Sequence, residues 1–296
     1  MTTPPAPSVS RAGLIARHTL PAALEAMVEA VRLLEARGCR ASVETRSAAD
    51  AGLTDRVPVV SREDLGRDAD VVIAFGGDGT LLDAASAVAH SPYDVPLVGV
   101  NLGRLGFLTE IGRSEMADAL EMIVLGRTTT ETRLLLEGRV MRNGAMTATR
   151  LALNDVVVTR GALARMIEID VDVDTERVSH VKADGLIVAT ATGSTAYNLS
   201  AGGPILHPSA DAVVLTPLAP HALTNRPVVL PAASRIRLTP MVEPDTDPVV
   251  TFDGQFGVPL EPGDTIEIAR AARVLRLLRT TSRTYFDMLR EKLKWG

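Results

Sequence analysis

The stretch Gly76-Gly77-Asp78-Gly79-Thr80 combines the residue types of a phosphate cradle with a single carboxylate. Glycines in a turn let backbone N–H groups converge on one point, and at the positive end of a helix such a point suits phosphate. An anion there opposes phosphate unless it handles a proton or a metal ion, which makes Asp78 the first candidate for chemistry. Two other phosphate loops are excluded. The chain has no Gly-Lys pair, which the P-loop requires, and Leu82 stands where the dinucleotide fingerprint needs its third glycine. The plain alternative is a tight turn whose glycines serve positive φ and whose aspartate caps the next helix.

Two further polar groupings interrupt apolar runs. From Asp184 to Tyr197 a strand pattern leads into Thr190-Ala191-Thr192-Gly193-Ser194-Thr195, a dense set of hydroxyls on small residues, followed by Asn198-Leu199-Ser200-Ala201-Gly202-Gly203-Pro204. Small side chains let a flat ligand approach the backbone, and hydroxyls offer donors in several directions; a hydroxyl-capped turn explains the same residues. The pair Asn154-Asp155 lies between apolar strand runs. An amide beside a carboxylate can hold a ribose diol, as an acidic residue does in dinucleotide folds, although such a pair also marks an ordinary turn or bulge.

These residues need a frame. Val71–Phe75 is a β-branched run that reads as a buried strand, and Leu81–Ala89 is strongly helix-forming. Around them, strands are expected at Gly13–Ala16, Ala41–Glu44 and Val95–Val100, and helices at Pro21–Arg37 and Glu115–Leu125. In the first helix Leu24, Met27, Val28, Val31 and Leu34 recur at helical spacing, with Pro21 in the first turn and Gly38 past the end. Alternation of this kind implies a parallel sheet with ligands at the carboxyl ends of its strands. Beyond Thr128 short strands dominate: Arg133–Val140, Ala152–Thr159, Ile167–Val173, Gly185–Ala189, Ala212–Thr216, Arg235–Leu238, Val249–Asp253 and Thr265–Ala269. Ser282 to Trp295 reads as a helix with Tyr285, Phe286, Leu289 and Leu293 on one side. The expected fold is therefore α/β plus all-β. A Rossmann-like parallel α/β domain (1–128) precedes a β-sandwich-like domain (129–275), and a helical tail (276–296) packs back on the first domain.

Composition narrows the classes of function. The chain has 296 residues, 46% of them hydrophobic, and a net charge of −5. Without a basic run or an aromatic platform, no nucleic-acid partner is expected. Cys39 is the only cysteine and the five histidines are scattered, so no disulfide and no zinc site are expected. No apolar run is long enough to span a bilayer, and the Pro/Thr-rich start lacks the order of a signal peptide, so no membrane partner and a cytoplasmic location are expected. The only lysines are Lys182, Lys292 and Lys294; every other basic residue is an arginine.

The three groupings, with Asn101-Leu102-Gly103-Arg104-Leu105-Gly106-Phe107-Leu108, Phe252-Asp253-Gly254-Gln255 and the closing Leu289 to Gly296, resemble the bacterial-type NAD kinases over nearly the whole length. The glycine-aspartate turn alone is shared with lipid kinases and phosphofructokinases; the hydroxyl-rich segment with Asn-Asp is more specific. The resemblance implies transfer of a γ-phosphoryl group from ATP, or from polyphosphate, to the 2′-hydroxyl of the adenosine ribose of NAD. Asp78 would accept the proton, and Gly77 and Gly79 would let the phosphates approach the backbone. Phe107 would pack near the adenine. Gly79, Asn154, Asp155, Lys182, Asp184, Thr195, Ala196, Tyr197, Ser200, Ala219 and Gln255 would line the NAD site, with Lys182 often reaching a neighbouring subunit's ligand. Mg²⁺ would be held mainly by donor phosphates and water, with no dedicated metal residues, and the protein would be a homodimer or homotetramer. A related lipid or sugar kinase and a non-catalytic NAD sensor are the alternatives. Three positions depart from the family pattern: Ala191 replaces a common proline, Asp155 a more frequent glutamate, and Asp83 a basic residue near the phosphates. The last leaves the choice of donor open.

Overall fold

Apolar strands alternating with helices build the first part of the chain, as their pattern requires. In chain order it contains β1 (Arg11–Ala16), α1 (Pro21–Glu35), β2 (Arg40–Glu44), α2 (Thr45–Asp50), β3 (Val59–Val60), β4 (Val71–Gly76), α3 (Asp78–His90), β5 (Leu97–Asn101), β6 (Ile111–Gly112) and α4 (Met116–Val124). The computed structural model describes residues 8–103, 105–161, 165–243, 247–280 and 283–295. It divides into one unit of Met1–Thr132 with Leu275–Gly296 and a second of Arg133–Val274.

In the first unit the strands pair in parallel in the order β5-β4-β1-β2-β3. β4 and β5 are buried along their whole length, as expected for a sheet covered on both faces. The face that α1 buries is richer in alanine than the spacing suggested. Ala23, Ala26 and Ala30 are fully buried with Met27 and Leu34, while Leu24 and Val28 are only partly buried. Small side chains let the helix lie close on the sheet.

The remaining elements are β7 (Thr129–Arg142), β8 (Ala145–Ala152), β9 (Asp155–Thr159), β10 (Ile167–Val173), β11 (Glu176–Ala183), β12 (Gly185–Thr190), α5 (Tyr197–Ser200), β13 (Ala212–Leu218), β14 (Val228–Pro231), β15 (Ile236–Met241), β16 (Val249–Phe252), β17 (Phe256–Pro259), β18 (Thr265–Arg279) and α6 (Tyr285–Leu293). Strands β14-β13-β12-β9-β16-β17 form one antiparallel sheet. Opposite it stand β11-β10-β15 and the start of β18, with the β7–β8 hairpin. Ile169, Val171, Leu238 and Ile266 from these strands share a core with Val156, Val158, Val188, Leu215 and Val250 of the first sheet. This is a sandwich, and each such side chain contributes roughly 1.5–3 kcal/mol on burial.

Several expected boundaries shift. The run Ala152–Thr159 is split at Leu153-Asn154, because the Asp253 carboxylate takes the N–H groups of residues 153–155 out of the strand ladder. Phe286 is 58% exposed rather than on the packed side of α6, which buries Met288 and Leu289 instead. Ser282 lies outside the described residues. Among the described residues no helix is long and apolar enough to cross a membrane.

Candidate active site

In the first unit β4 runs straight into the glycine turn. Gly77 is extended and its carbonyl accepts from the Thr80 and Leu81 N–H groups, so α3 begins at Asp78, earlier than its apolar pattern indicated. Gly76 has no room for a side chain: a Cβ there would lie 2.2 Å from Thr80 Oγ1. Gly77 and Gly79 have open space around them, so the turn presents bare backbone on that side.

Asp78 does not point into that space in this structure. Its Oδ2 accepts from Phe107 N at 2.7 Å. Oδ1 accepts from Leu108 N at 3.1 Å, Thr109 N at 3.0 Å and Thr109 Oγ1 at 2.8 Å. Three of these four donors converge on Oδ1, while Oδ2 accepts one and keeps a second lone-pair position. The close approach of the loop requires Gly106, where a Cβ would fall 1.8 Å from Asp78 Oδ1. Asn101 supports the same loop, its Nδ2 donating to Thr109 Oγ1 at 2.8 Å. Arg279, at the end of β18, holds the next residue, with Nη2 2.6 Å from the buried Glu110 carboxylate. Asp83, one turn beyond Gly79, is paired by Arg62, whose Nη2 also donates to the Asp83 carbonyl at 3.3 Å.

In the second unit Asn154 and Asp155 form a buried corner at the start of β9. Asp253, in the left-handed region at φ 51°, accepts from Leu153 N at 2.8 Å, Asn154 N at 2.7 Å and Asp155 N at 3.1 Å. Its own N–H returns to the Asp155 carbonyl at 2.9 Å. The Asp155 carboxylate receives no donor among the described residues. Burial first, and the Asp253 charge second, push its pKa up to about 7.

The hydroxyl-rich turn packs on this corner. Thr190 N donates to the Asn154 carbonyl at 2.8 Å and Thr190 Oγ1 to the Leu153 carbonyl at 2.6 Å. Gly193 is needed for space, since a Cβ would meet the Asn154 carbonyl oxygen at 2.0 Å. Ser194 Oγ donates to the Ala191 carbonyl at 2.7 Å and Thr195 Oγ1 to the Thr192 carbonyl at 3.4 Å. Buried Asn198 ties Ser194 and Pro204 together. Much of the hydroxyl density is therefore turn chemistry, while Tyr197 and Ser200 remain exposed.

The expected NAD-lining residues thus fall into two groups. Asn154, Asp155, Thr195, Ala196, Tyr197, Ser200 and Gln255 follow the Thr190 end of β12, with Gln255 in the β16–β17 turn. Lys182, Asp184 and Ala219 gather at the other end, where Gly185 pairs with Leu218, roughly 17 Å away along the strand. There Arg160 Nε donates to Asp184 Oδ1 at 2.7 Å, Lys182 Nζ to Glu168 Oε1 at 2.7 Å, and the His221 N–H to the Lys182 carbonyl at 2.9 Å. Among the described residues no group of three or more His, Cys, Asp or Glu side chains could hold a metal ion.

Residues 12–128 match the ATP-NAD kinase N-terminal domain family and 153–280 the ATP-NAD kinase C-terminal domain family. The chain is 45% identical to the NAD kinase of Aromatoleum aromaticum over 96% of its own length and 93% of that protein's. It belongs to the NAD kinase family. Two solved structures share its fold at 24% identity, each spanning 97% of this chain. They are a yeast NADH kinase complexed with NADH (88% of that chain, TM-score 0.87) and an NAD kinase from Archaeoglobus fulgidus in complex with ATP (100% of that chain, TM-score 0.73). In this NAD kinase family member three residues that organise the site were not singled out by their own pattern: Gly106, Thr109 and Asp253. Gly106 and Asp253 lay within quoted motifs, but only folding shows that one makes room for Asp78 and the other fastens the Asn154-Asp155 corner.

Proposed function

We propose that the chain phosphorylates the 2′-hydroxyl of the adenosine ribose of NAD, giving NADP, with ATP or another polyphosphate as donor. The observation that carries the reading is a lone carboxylate at the head of a glycine turn, fixed by a second glycine-rich loop. The ribose oxygen attacks the γ-phosphorus as the bond to the β-bridging oxygen breaks, and the hydroxyl proton passes to Asp78. Oδ1 takes three of the four loop donors and Oδ2 only one, so the second lone pair of Oδ2 is the position left for the hydroxyl. A positioned base is worth about 10²–10⁴-fold, and positioning carries much of the rest of phosphoryl transfer. Mg²⁺ bound to the donor would neutralise phosphate charge, its remaining ligands being phosphate oxygens and water.

Gly77 and Gly79 leave the turn backbone open to the phosphates, and Phe107 packs near the adenine. Asn154 and Asp155 hold the ribose diol, with Thr195, Ala196, Tyr197, Ser200 and Gln255 around them. Lys182, Asp184 and Ala219, at the far end of β12, serve the ligand of a second copy, so the working form is a homodimer or homotetramer. The substrates suit a cytoplasmic location. Incubation with NAD, ATP and Mg²⁺ should yield NADP, and Asp78→Asn should lower kcat at least 100-fold. A variant retaining more than half of the wild-type kcat removes Asp78 from proton transfer.

A further inference from the structure

Two of the three lysines in this arginine-rich chain stand at its very end, Lys292 and Lys294. Both line a cavity of about 760 Å³ within the first unit, inside the roughly 300–1,000 Å³ range of small-molecule sites. Arg113 and Arg283 also line it, against Glu115 and Glu291. The cavity thus holds a local excess of positive charge in a protein whose net charge is −5. The arginines are fixed as walls: Arg113 pairs with Glu29, and Arg283 Nη2 lies 3.0 Å from Glu115 Oε1. The lysines are not. No hydrogen bond or ion pair engages either side chain among the described residues, and Lys292 Nζ stands 5.7 Å from the centre of the Phe107 ring. A lysine ammonium is a compact point charge with three rotatable donors that can meet phosphate oxygens, and these two are not committed to a carboxylate as both arginines are.

The floor of the cavity is the end of β5, where Asn101, Leu102 and Gly103 line it. Asn101 pairs with Gly76 on the adjacent strand, and Leu102 N donates to the Gly76 carbonyl at 3.3 Å. The cavity therefore opens one strand spacing, about 4.8 Å, from the glycine turn. A ligand spanning both would need negative charge repeated along its length.

We propose that this cavity binds a chain of three or more linked phosphates, as in the triphosphate of a nucleotide or inorganic polyphosphate, and that Lys292 and Lys294 set the affinity for it. Its use as the donor site rests on the reaction proposed above; the binding itself does not. The test is a titration of the full chain with inorganic tripolyphosphate in the absence of NAD. It is followed by the fluorescence of Trp295, the only tryptophan and the neighbour of Lys294, and by calorimetry. Saturable binding is expected, weakened tenfold or more by the double substitution Lys292→Glu/Lys294→Glu and kept within threefold by Lys292→Arg/Lys294→Arg. Absence of saturable binding, or equal binding by the Glu variant, overturns the site. Parallel titrations with ATP and with long-chain polyphosphate identify the source by which binds more tightly. In the NADP-forming assay the Glu variant should raise the donor KM tenfold or more with the NAD KM within twofold. If the wild type binds tripolyphosphate yet forms no NADP from any donor, the reaction falls and the site stands. If NADP forms and charge reversal leaves the donor KM unchanged, the site falls and the reaction stands.

Discussion

Asp78 in the first unit and Asp155 in the second carry the same side chain in opposite surroundings. Asp78 is half-buried and accepts three backbone N–H groups and one hydroxyl. Asp155 is 5% exposed, receives no donor among the described residues and faces a second carboxylate. Backbone donors hold one carboxylate in a fixed direction; desolvation leaves the other able to titrate near neutrality. Direction is what a group at the reacting bond needs, and an acceptor kept dry is what a hydroxyl-bearing ligand rewards. Under the proposed reaction the pair would divide the work, Asp78 positioned at the reacting bond and Asp155 binding the ribose.

The largest effect should come from breaking the first environment without touching Asp78. Gly106→Ala places a methyl group where Asp78 Oδ1 now sits, so the loop or the carboxylate must move. A misplacement on the order of 1 Å can cost about 100-fold in rate, and kcat for NADP formation should fall by at least that much with the fold intact by circular dichroism. A kcat within threefold of wild type would mean that the loop bonds do not position Asp78 for catalysis.

The second environment is sharpened by pH. For an acid whose folded pKa is raised, folding stability is full below the unfolded value of 3.8 and declines as pH rises through about 7. Ribose hydroxyls donating to the charged carboxylate, as proposed, would reverse the sign for the ligand. NAD affinity should rise with pH through about 7 and weaken toward tenfold per unit below it, because binding then releases one proton. Asp155→Asn should flatten both profiles while weakening NAD binding. A wild-type NAD Kd that stays constant between pH 5.5 and 8 would show that Asp155 enters the complex without changing its proton.

How much of this was legible follows the same division. The glycine turn and its strand and helix were plain, because buried β4 and β5 carry unbroken apolar runs. The strands that escaped, Val59–Val60, Ile111–Gly112, Ala145–Ala152, Glu176–Ala183, Val228–Pro231 and Phe256–Pro259, each pair with a single neighbouring strand, and such edges bury too little to impose alternation. The hydroxyl run was visible, but Thr190 and Ser194 proved to bond their own backbone. The partners of the two aspartates were out of reach of any local pattern. Asp78 meets residues 29–31 positions away, and Asp253 meets Leu153 across 100.

The smallest test sets the two ends of β12 against each other. Both carry a non-glycine residue in the left-handed region, Asp253 at φ 51° and Ala219 at φ 43°. Asp253 gains three backbone hydrogen bonds from its position, whereas an alanine side chain can make none. A left-handed L-residue costs roughly 1–2 kcal/mol, partly offset here by the roughly 0.4–1 kcal/mol of extra unfolded-chain freedom that glycine brings. Ala219→Gly should therefore stabilise the protein by about 0.5–1 kcal/mol, a rise in Tm of roughly 1–3 °C, whereas Asp253→Gly should lower Tm by stripping three N–H groups of their acceptor. Calorimetric Tm values that move in the same direction for both variants would mean that the backbone is strained alike at the two ends, and that the Asp253 hydrogen bonds do not hold the Asn154-Asp155 corner.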